Sequence, residues 1–383
     1  MAIEGLRGYL ALWVLIGHVI VETRFLDGNM TKFNIALKDN WAAVELFMMV
    51  SGFVIFFLLD KRKEGYLEFI CCRFFRLYPI FILLFSAAIP MSFIWSWNID
   101  HSTYMAPYMQ RHFTGEIQGT WEHWKWNIFW HLSMLHSLVP DPNHAKLTDT
   151  AFLGQAWSIS LEWQFYLLAP FAYKSVVSPR PMYRIGFCVL CLYIYLGRQF
   201  LPSSWLAGYV IHGGFLPFRV ELFFIGAASY FLYKHFAHVY SDVFLPAAFC
   251  ASIFLWKTGD SVLFSIYLWI IFMGLIMENQ QSYSSKACRK LFTNLPSQFL
   301  GRISYGIYLS HIMVMLLAEH LLLRLNLGFS REAFFTVLLT MTLIGTILLS
   351  AILFRYVESP GIRFGRKLAV RFQKRQNNIP VTT

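Results

Sequence analysis

The sequence predicts an all-α, polytopic integral membrane protein with about ten transmembrane helices and both termini cytoplasmic. Three observations carry that reading. Of 383 residues, 57% are hydrophobic and 14% are charged, against roughly 45–50% and about 25% in a soluble domain. Apolar stretches near the ~20 residues that a bilayer-crossing helix needs recur along the chain. The basic residues (32 Lys and Arg against 21 Asp and Glu, net +11) fall in short clusters between those stretches. Spread over a soluble fold, this much apolar surface would leave large adhesive patches. The composition therefore excludes a cytosolic globular protein, a disordered chain, a collagen and a coiled coil. The clustered basic charge reads as membrane topology, not as nucleic-acid binding.

In order along the chain, the candidate spans are 8–23, 41–60, 76–97, 157–176, 183–200, 215–234, 243–257, 261–278, 303–324 and 333–354. Several carry polar residues, as helices that line a cavity do. The stretch 124–139 is amphipathic, with Lys125, Asn127, His131 and His136 on its polar side. It is expected to be a helix lying in the outer interface. A cytoplasmic N-terminus puts most of the Lys and Arg inside, including Lys61, Arg62 and Lys63 and the tail from Arg355 to Arg375. Making 124–139 an eleventh span would carry that tail outside, against the positive-inside rule. The expected organisation is a transmembrane domain over 1–360 and a basic cytoplasmic tail over 361–383. Glu4 and Arg7 precede the first apolar run and no small-residue site follows it, so no cleaved signal is expected.

The longest aqueous segment is the outer loop at about 98–156, with His101, His112, His123, His131, His136 and His144. Their spacing is not that of a metal site, and no metal is expected. The six cysteines are Cys71, Cys72, Cys188, Cys191, Cys250 and Cys288. They form no four-ligand pattern and no disulfide framework, and read as apolar core thiols. Matched broken helices in two repeats, the mark of many secondary transporters, are not found.

Ionisable residues inside spans are costly, so each is a candidate for function. Arg7 and His18 are eleven residues apart, which puts them about 20° apart around a helix and about 16 Å apart along it. Arg7 then sits near the cytoplasmic surface and His18 near the midplane, on one stripe. A lone His on such a face is also read as a satisfied core group. Arg73 and Arg76, at i, i+3, share a face at the inner mouth of the third span. Two guanidiniums there suit a phosphate-bearing ligand, or equally the lipid headgroups. Glu162 and Tyr166 share a face at i, i+4, about five residues inside the outer end of their span. Arg219 is a candidate partner for Glu162, and an Arg–Glu pair holding helices together is the structural alternative. Ser304, Tyr308 and His311 line one face by the i, i+4, i+7 rule. Glu358-Ser359-Pro360 closes the tenth span, with Pro360 expected to stop the helix.

In chain order these residues resemble the membrane-bound acyltransferase type 3 family. The likeness runs through Glu4-Gly5-Leu6-Arg7-Gly8 with His18, Glu45-Leu46-Phe47-Met48-Met49-Val50-Ser51-Gly52-Phe53, Arg73-Phe74-Phe75-Arg76-Leu77-Tyr78-Pro79, Trp157-Ser158-Ile159-Ser160-Leu161-Glu162-Trp163-Gln164-Phe165-Tyr166, Ser304 to His311, and Glu358-Ser359-Pro360. At Glu45 the family more often has Asp. The resemblance implies ten core helices and a stand-alone sugar O-acyltransferase in a bacterial inner membrane. It implies an acyl group, acetyl first, moved from cytoplasmic acyl-CoA to a hydroxyl of a carbohydrate acceptor such as an exported polysaccharide, an O-antigen or a lipid-linked sugar.

On that resemblance, Arg7, Arg73 and Arg76 would hold the phosphates of coenzyme A. His18 would act as general base, with a side chain suited to proton transfer near neutrality, or carry the acyl group in a covalent relay. Ser51, Ser304 or Tyr305 would steady the oxyanion, and Glu162 would assist catalysis. Tyr166, Arg219 and His311 would contact the acceptor. The expected partners are acyl-CoA, the carbohydrate and the bilayer, without nucleic acid or a bound prosthetic group, and a homo-oligomer is compatible with all of this. The alternative from another class is a transporter or flippase of a glycan or acyl precursor.

Overall fold

The computed structural model describes residues 2–27, 34, 37–62, 64–139, 148–197, 200, 213–236, 261–277 and 283–377. Among these the regular structure is helical: α1 (Ala2–Thr23), α2 (Asn40–Arg62), α3 (Tyr66–His101), α4 (Pro107–Glu122), α5 (Trp124–Leu132), α6 (Trp157–Val177), α7 (Pro181–Gly197), α8 (Val220–Phe236), α9 (Ser261–Met277), α10 (Tyr283–Thr293), α11 (Leu295–Leu325), α12 (Arg331–Leu353) and α13 (Ser359–Asn377). The span expected at 243–257, with Cys250, and His144 of the outer loop lie outside the described residues. Five helical rods among the described residues are long and apolar enough to cross a membrane: α1, α2, α3, α11 and the continuous rod Arg331–Phe372. Pro181–Ile194 and Val262–Met277 are shorter apolar helices. Large apolar side chains such as Leu83, Leu168, Phe171, Leu321 and Leu348 point outward, as they do in a chain solvated by lipid.

Several elements differ from the sequence expectation for identifiable reasons. Helix α3 begins at Tyr66, ten residues before the predicted span. Helix α11 begins at Leu295, because Asn294 caps it by accepting the Ser297 N–H at 2.7 Å and a proline follows at the first turn. It ends at Asn326, whose left-handed φ of 44° closes the last turn. Pro217 confines residues 216–218 to a short 3-10 turn, so α8 starts at Val220. The outer segment 98–156 is not a bare loop; it holds the end of α3 and all of α4 and α5.

The helix does not end at Pro360 as expected. A π turn over Phe354–Glu358 joins α12 to α13. Proline lacks an N–H and its ring crowds the carbonyl four residues back; the wider π turn accommodates both, and the helix runs on to Asn377. The expected basic tail is therefore an amphipathic helix.

The residues cluster into two compact units. The first comprises Met1–Val54, Met91–Thr114 and Leu222–Ala351. Its seam is the packing of α1 on α11, and small residues set how close that packing is. A Cβ on Gly8 would lie 2.7 Å from Leu300 Cβ, and one on Gly301 would lie 1.9 Å from the Glu4 carbonyl oxygen. No side chain fits there, so the glycines of the N-terminal motif belong to helix packing. The second unit comprises Ile55–Pro90, Gly115–Glu221 and Ile352–Thr383. In it, α3 and α6 run antiparallel: Tyr66 stacks near Phe171, Phe69 near Tyr166 and Phe74 near Trp163, with ring centroids 5.0, 6.4 and 5.9 Å apart.

Gly301→Ala should lower the thermal unfolding midpoint of the purified protein, by the equivalent of about 1–3 kcal/mol for an overpacked contact. Gly186→Ala, at a helical position where a Cβ meets nothing within 4 Å, should leave the midpoint unchanged or slightly higher.

Candidate functional site

In the first unit, α1 and α11 bring His18 and His311 together, with ring centroids 5.1 Å apart and planes tilted by 40°. His311 is fully buried and His18 half-buried. His311 Nδ1 lies 2.7 Å from the Tyr308 carbonyl oxygen and 3.2 Å from that of Ile307. Carbonyls only accept, so Nδ1 carries the hydrogen and Nε2 is a bare lone pair. That Nε2 is buried without a hydrogen-bond partner. Tyr308 packs against His311 at 6.0 Å and against Phe47 at 6.0 Å. Tyr305 is buried and lies about 120° round the helix from His311. Ser304 donates its hydroxyl to the Gly301 carbonyl at 2.8 Å, so of the three oxyanion candidates it has already used its proton. Arg7 is half-buried on the stripe of α1 that leads to His18.

Sequence reading missed a carboxyl pair on the same seam. Glu22 and Glu319 lie beside each other. Asn98 donates to Glu319 Oε2 at 3.1 Å and to the Leu316 carbonyl at 2.9 Å, and its Oδ1 accepts from His320 Nδ1 at 2.8 Å. The signal was present: Glu22 is i+4 from His18, and Glu319 is an ionisable residue inside an apolar run.

In the second unit, Arg73 is 9% exposed and its Nε has no hydrogen-bond partner. Its guanidinium lies 5.8 Å from the centroid of the Phe69 ring, and Tyr166 and Arg76 are within its electrostatic reach. Tyr166 donates a hydrogen bond to Glu162, confirming their shared face. The sequence reading placed Arg73 and Arg76 at the inner mouth and Glu162 and Tyr166 toward the outer side. The structure brings Arg73 and Tyr166 side by side. The early start of α3 is the reason: Arg73 sits two turns inside its helix, level with the middle of α6.

The remaining polar positions of the α6 motif hold backbone. Gln164 donates to the Gly214 carbonyl at 2.8 Å and accepts the Leu216 N–H at 3.0 Å. Ser160 accepts the Ser137 N–H at 3.1 Å. These bonds fix the segment that leads to Arg219. Gly213 has φ +61°, and Arg219 Nε would lie 2.8 Å from a Cβ placed on it, so both the backbone and the guanidinium require glycine there.

Segment 124–139 buries most of its polar side chains. Asn127, His131 and His136 are fully buried, while Trp124, Phe129 and Leu132 are exposed, and the helix stops at Leu132. His131 and His136 stack at 4.0 Å with planes 5° apart, and Phe85 stacks on His131 at 4.7 Å. His131 Nδ1 donates to the Asn127 carbonyl at 2.8 Å and His136 Nε2 to that of Ala156 at 3.1 Å. Burial lowers the pKa of His131 to about 4, against a smaller opposing effect of the Asn127 carbonyl. Burial and the neighbouring His131 push His136 well below the ordinary value. Among the described residues, no three His, Cys, Asp or Glu side chains come together as a metal site would need.

Both imidazoles are thus neutral in the fold. The stability they contribute is present above the unfolded-state value of 6.5 and is lost as pH falls from 6.5 toward 4. Unfolding midpoints measured across that interval should drop steeply. The drop should be shallower in His131→Phe/His136→Phe than in a variant of the exposed His112.

A family model described as an acyltransferase domain matches residues 2–355. No curated protein matches, and no solved structure matches.

Proposed function

The chain belongs to the acyltransferase family whose model spans residues 2–355, and from that premise we propose a membrane O-acyltransferase acting from acyl-CoA on a carbohydrate hydroxyl. Acyltransferase family membership and several apolar helices make it a membrane protein of that class. The donor is cytoplasmic acyl-CoA, acetyl-CoA first. The acceptor is an exported or lipid-linked glycan, and the setting is a bacterial inner membrane. The observation that carries the reading is Arg73, a buried guanidinium whose Nε has no acceptor. A buried guanidinium favours an anionic partner, and the phosphates of coenzyme A would offer one in the bidentate form that guanidinium prefers.

In this reading Arg73 and Arg76 grip the phosphates, and Arg7 adds charge at its own end of the α1 stripe. Glu162 and Tyr166 hold Arg73 in position from the facing helix. His18 takes the proton of the acceptor hydroxyl. The oxygen attacks the thioester carbon, the C–O bond forms and the C–S bond breaks. The proton passes to the departing thiolate, so the products are an ester and free coenzyme A. His311 packs against His18 with its own Nδ1–H tied to Tyr308, so it holds the His18 ring in place. Tyr305 steadies the oxyanion. His311 bounds the acceptor's position beside His18.

His18→Ala should cut transfer of labelled acyl groups by about 10²–10⁴-fold, the range for a lost general base, with an unchanged unfolding midpoint. Normal turnover in that variant would remove His18 from the chemistry. Tyr305→Phe should lower kcat by about tenfold or more and leave KM for acyl-CoA unchanged; a change in KM alone would place Tyr305 in binding instead.

A further inference from the structure

The packing of α1 on α11 continues past His18 and His311 into a polar stretch that the mechanism above does not use. The two helices run parallel: Gly5 meets Phe292, Gly8 meets Leu300 and Gly301, and His18 meets His311. One turn beyond His18, about 6 Å along α1, comes Glu22. The parallel course brings it to the same end of the seam as Glu319, which lies beside it. Glu319 is 3% exposed and Glu22 is half-buried, so the pair is reached from the side of Glu22. Arg7 sits toward the opposite end of the α1 stripe, where the donor's charge belongs in the reading above.

Helix α3 braces this pair. Asn98 donates to Glu319 Oε2 at 3.1 Å and to the Leu316 carbonyl at 2.9 Å, and accepts from His320 Nδ1 at 2.8 Å. Both ends of its amide are committed, so Asn98 serves as a strut that fixes Glu319. It engages a single oxygen of the two carboxyls, and carboxyl oxygens have room for further donors. His311 adds another acceptor. Its Nδ1–H is tied to carbonyls of its own helix, so Nε2 points away from α11, and that fully buried atom has no hydrogen-bond partner. A buried acceptor left unmet costs free energy. The seam beside His18 therefore favours a ligand that brings its own donors. A ring with hydroxyls on adjacent carbons meets that demand: with one hydroxyl at His18, its neighbours extend toward Glu22. An alcohol with a single hydroxyl leaves the pair unmet.

We propose that Glu22 and Glu319 form the subsite that selects the acceptor, accepting hydrogen bonds from the hydroxyls next to the one whose proton His18 takes. The inference rests on the reading that the chain transfers an acyl group to a hydroxyl. It adds that the acceptor is a polyhydroxylated ring, and that these two carboxyls distinguish it from other alcohols.

The purified chain would be reconstituted in phosphatidylcholine vesicles and given labelled acetyl-CoA with either methyl glucopyranoside or cyclohexanol, a six-membered ring with one hydroxyl. The ratio of kcat/KM for the two alcohols would be measured in wild type, Glu22→Ala and Glu22→Gln. Wild type should prefer the glucoside. Glu22→Ala should cut that preference about tenfold, as for a lost hydrogen bond, mainly through a higher KM for the glucoside. Glu22→Gln keeps an acceptor oxygen and should fall between the two. A damaged fold lowers both alcohols together and leaves the ratio where it was. An unchanged ratio in Glu22→Ala would make the pair structural and overturn the proposal, with acyl transfer left standing. A wild type that shows no preference for the glucoside would do the same. A chain that transfers to neither alcohol would defeat the acyl-transfer reading itself, and the proposal with it.

Discussion

Taking a guanidinium out of water costs several kcal/mol unless an anion or a full set of acceptors replaces the lost hydration. Arg73 is nine-tenths buried with an unpartnered Nε, and much of the second unit is arranged around it. Phe69 lies under its cation, and Tyr166, which donates to Glu162, lies beside it from α6. The first unit meets the same constraint differently. Glu22 lies beside Glu319, to which Asn98 donates, while His311 commits its Nδ1–H to a backbone carbonyl. In both units the few polar groups that the apolar chain retains are buried with defined neighbours.

Much of this was legible in the sequence. The fold class followed from composition, because only lipid tolerates so much apolar surface. The eleven-residue spacing put Arg7 and His18 on one stripe, and the i, i+4 spacing put Tyr166 on Glu162. His311 stood out as a histidine inside an apolar run. What periodicity does not contain is which stripe of one helix meets which stripe of another. The 5.1 Å contact of His18 with His311 depends on Gly8 and Gly301 closing the seam. As single glycines in apolar helices, these give no directional signal.

The misreadings have local causes. Helix boundaries were drawn where hydropathy falls, but a cap or a π turn decides where a helix stops. Asn294 therefore extended α11, and the turn over Phe354–Glu358 carried α13 past Pro360. Segment 124–139 was read as one amphipathic helix lying in the interface. Instead, His131 and His136 are enclosed by Phe85 and by each other, and Phe129 is exposed. What hydropathy does not show for Arg73 is its neighbour: α3 starts at Tyr66, and the residue lies beside Tyr166 of α6.

The central claim is that Arg73 binds the phosphate of the acyl donor. A ligand that binds only the folded state raises its unfolding midpoint. The most direct test is therefore the midpoint of the purified chain with and without coenzyme A, for wild type and for Arg73→Ala. Coenzyme A should raise the midpoint of wild type and leave that of Arg73→Ala unmoved. An equal rise in both, or no rise in wild type, would contradict the account.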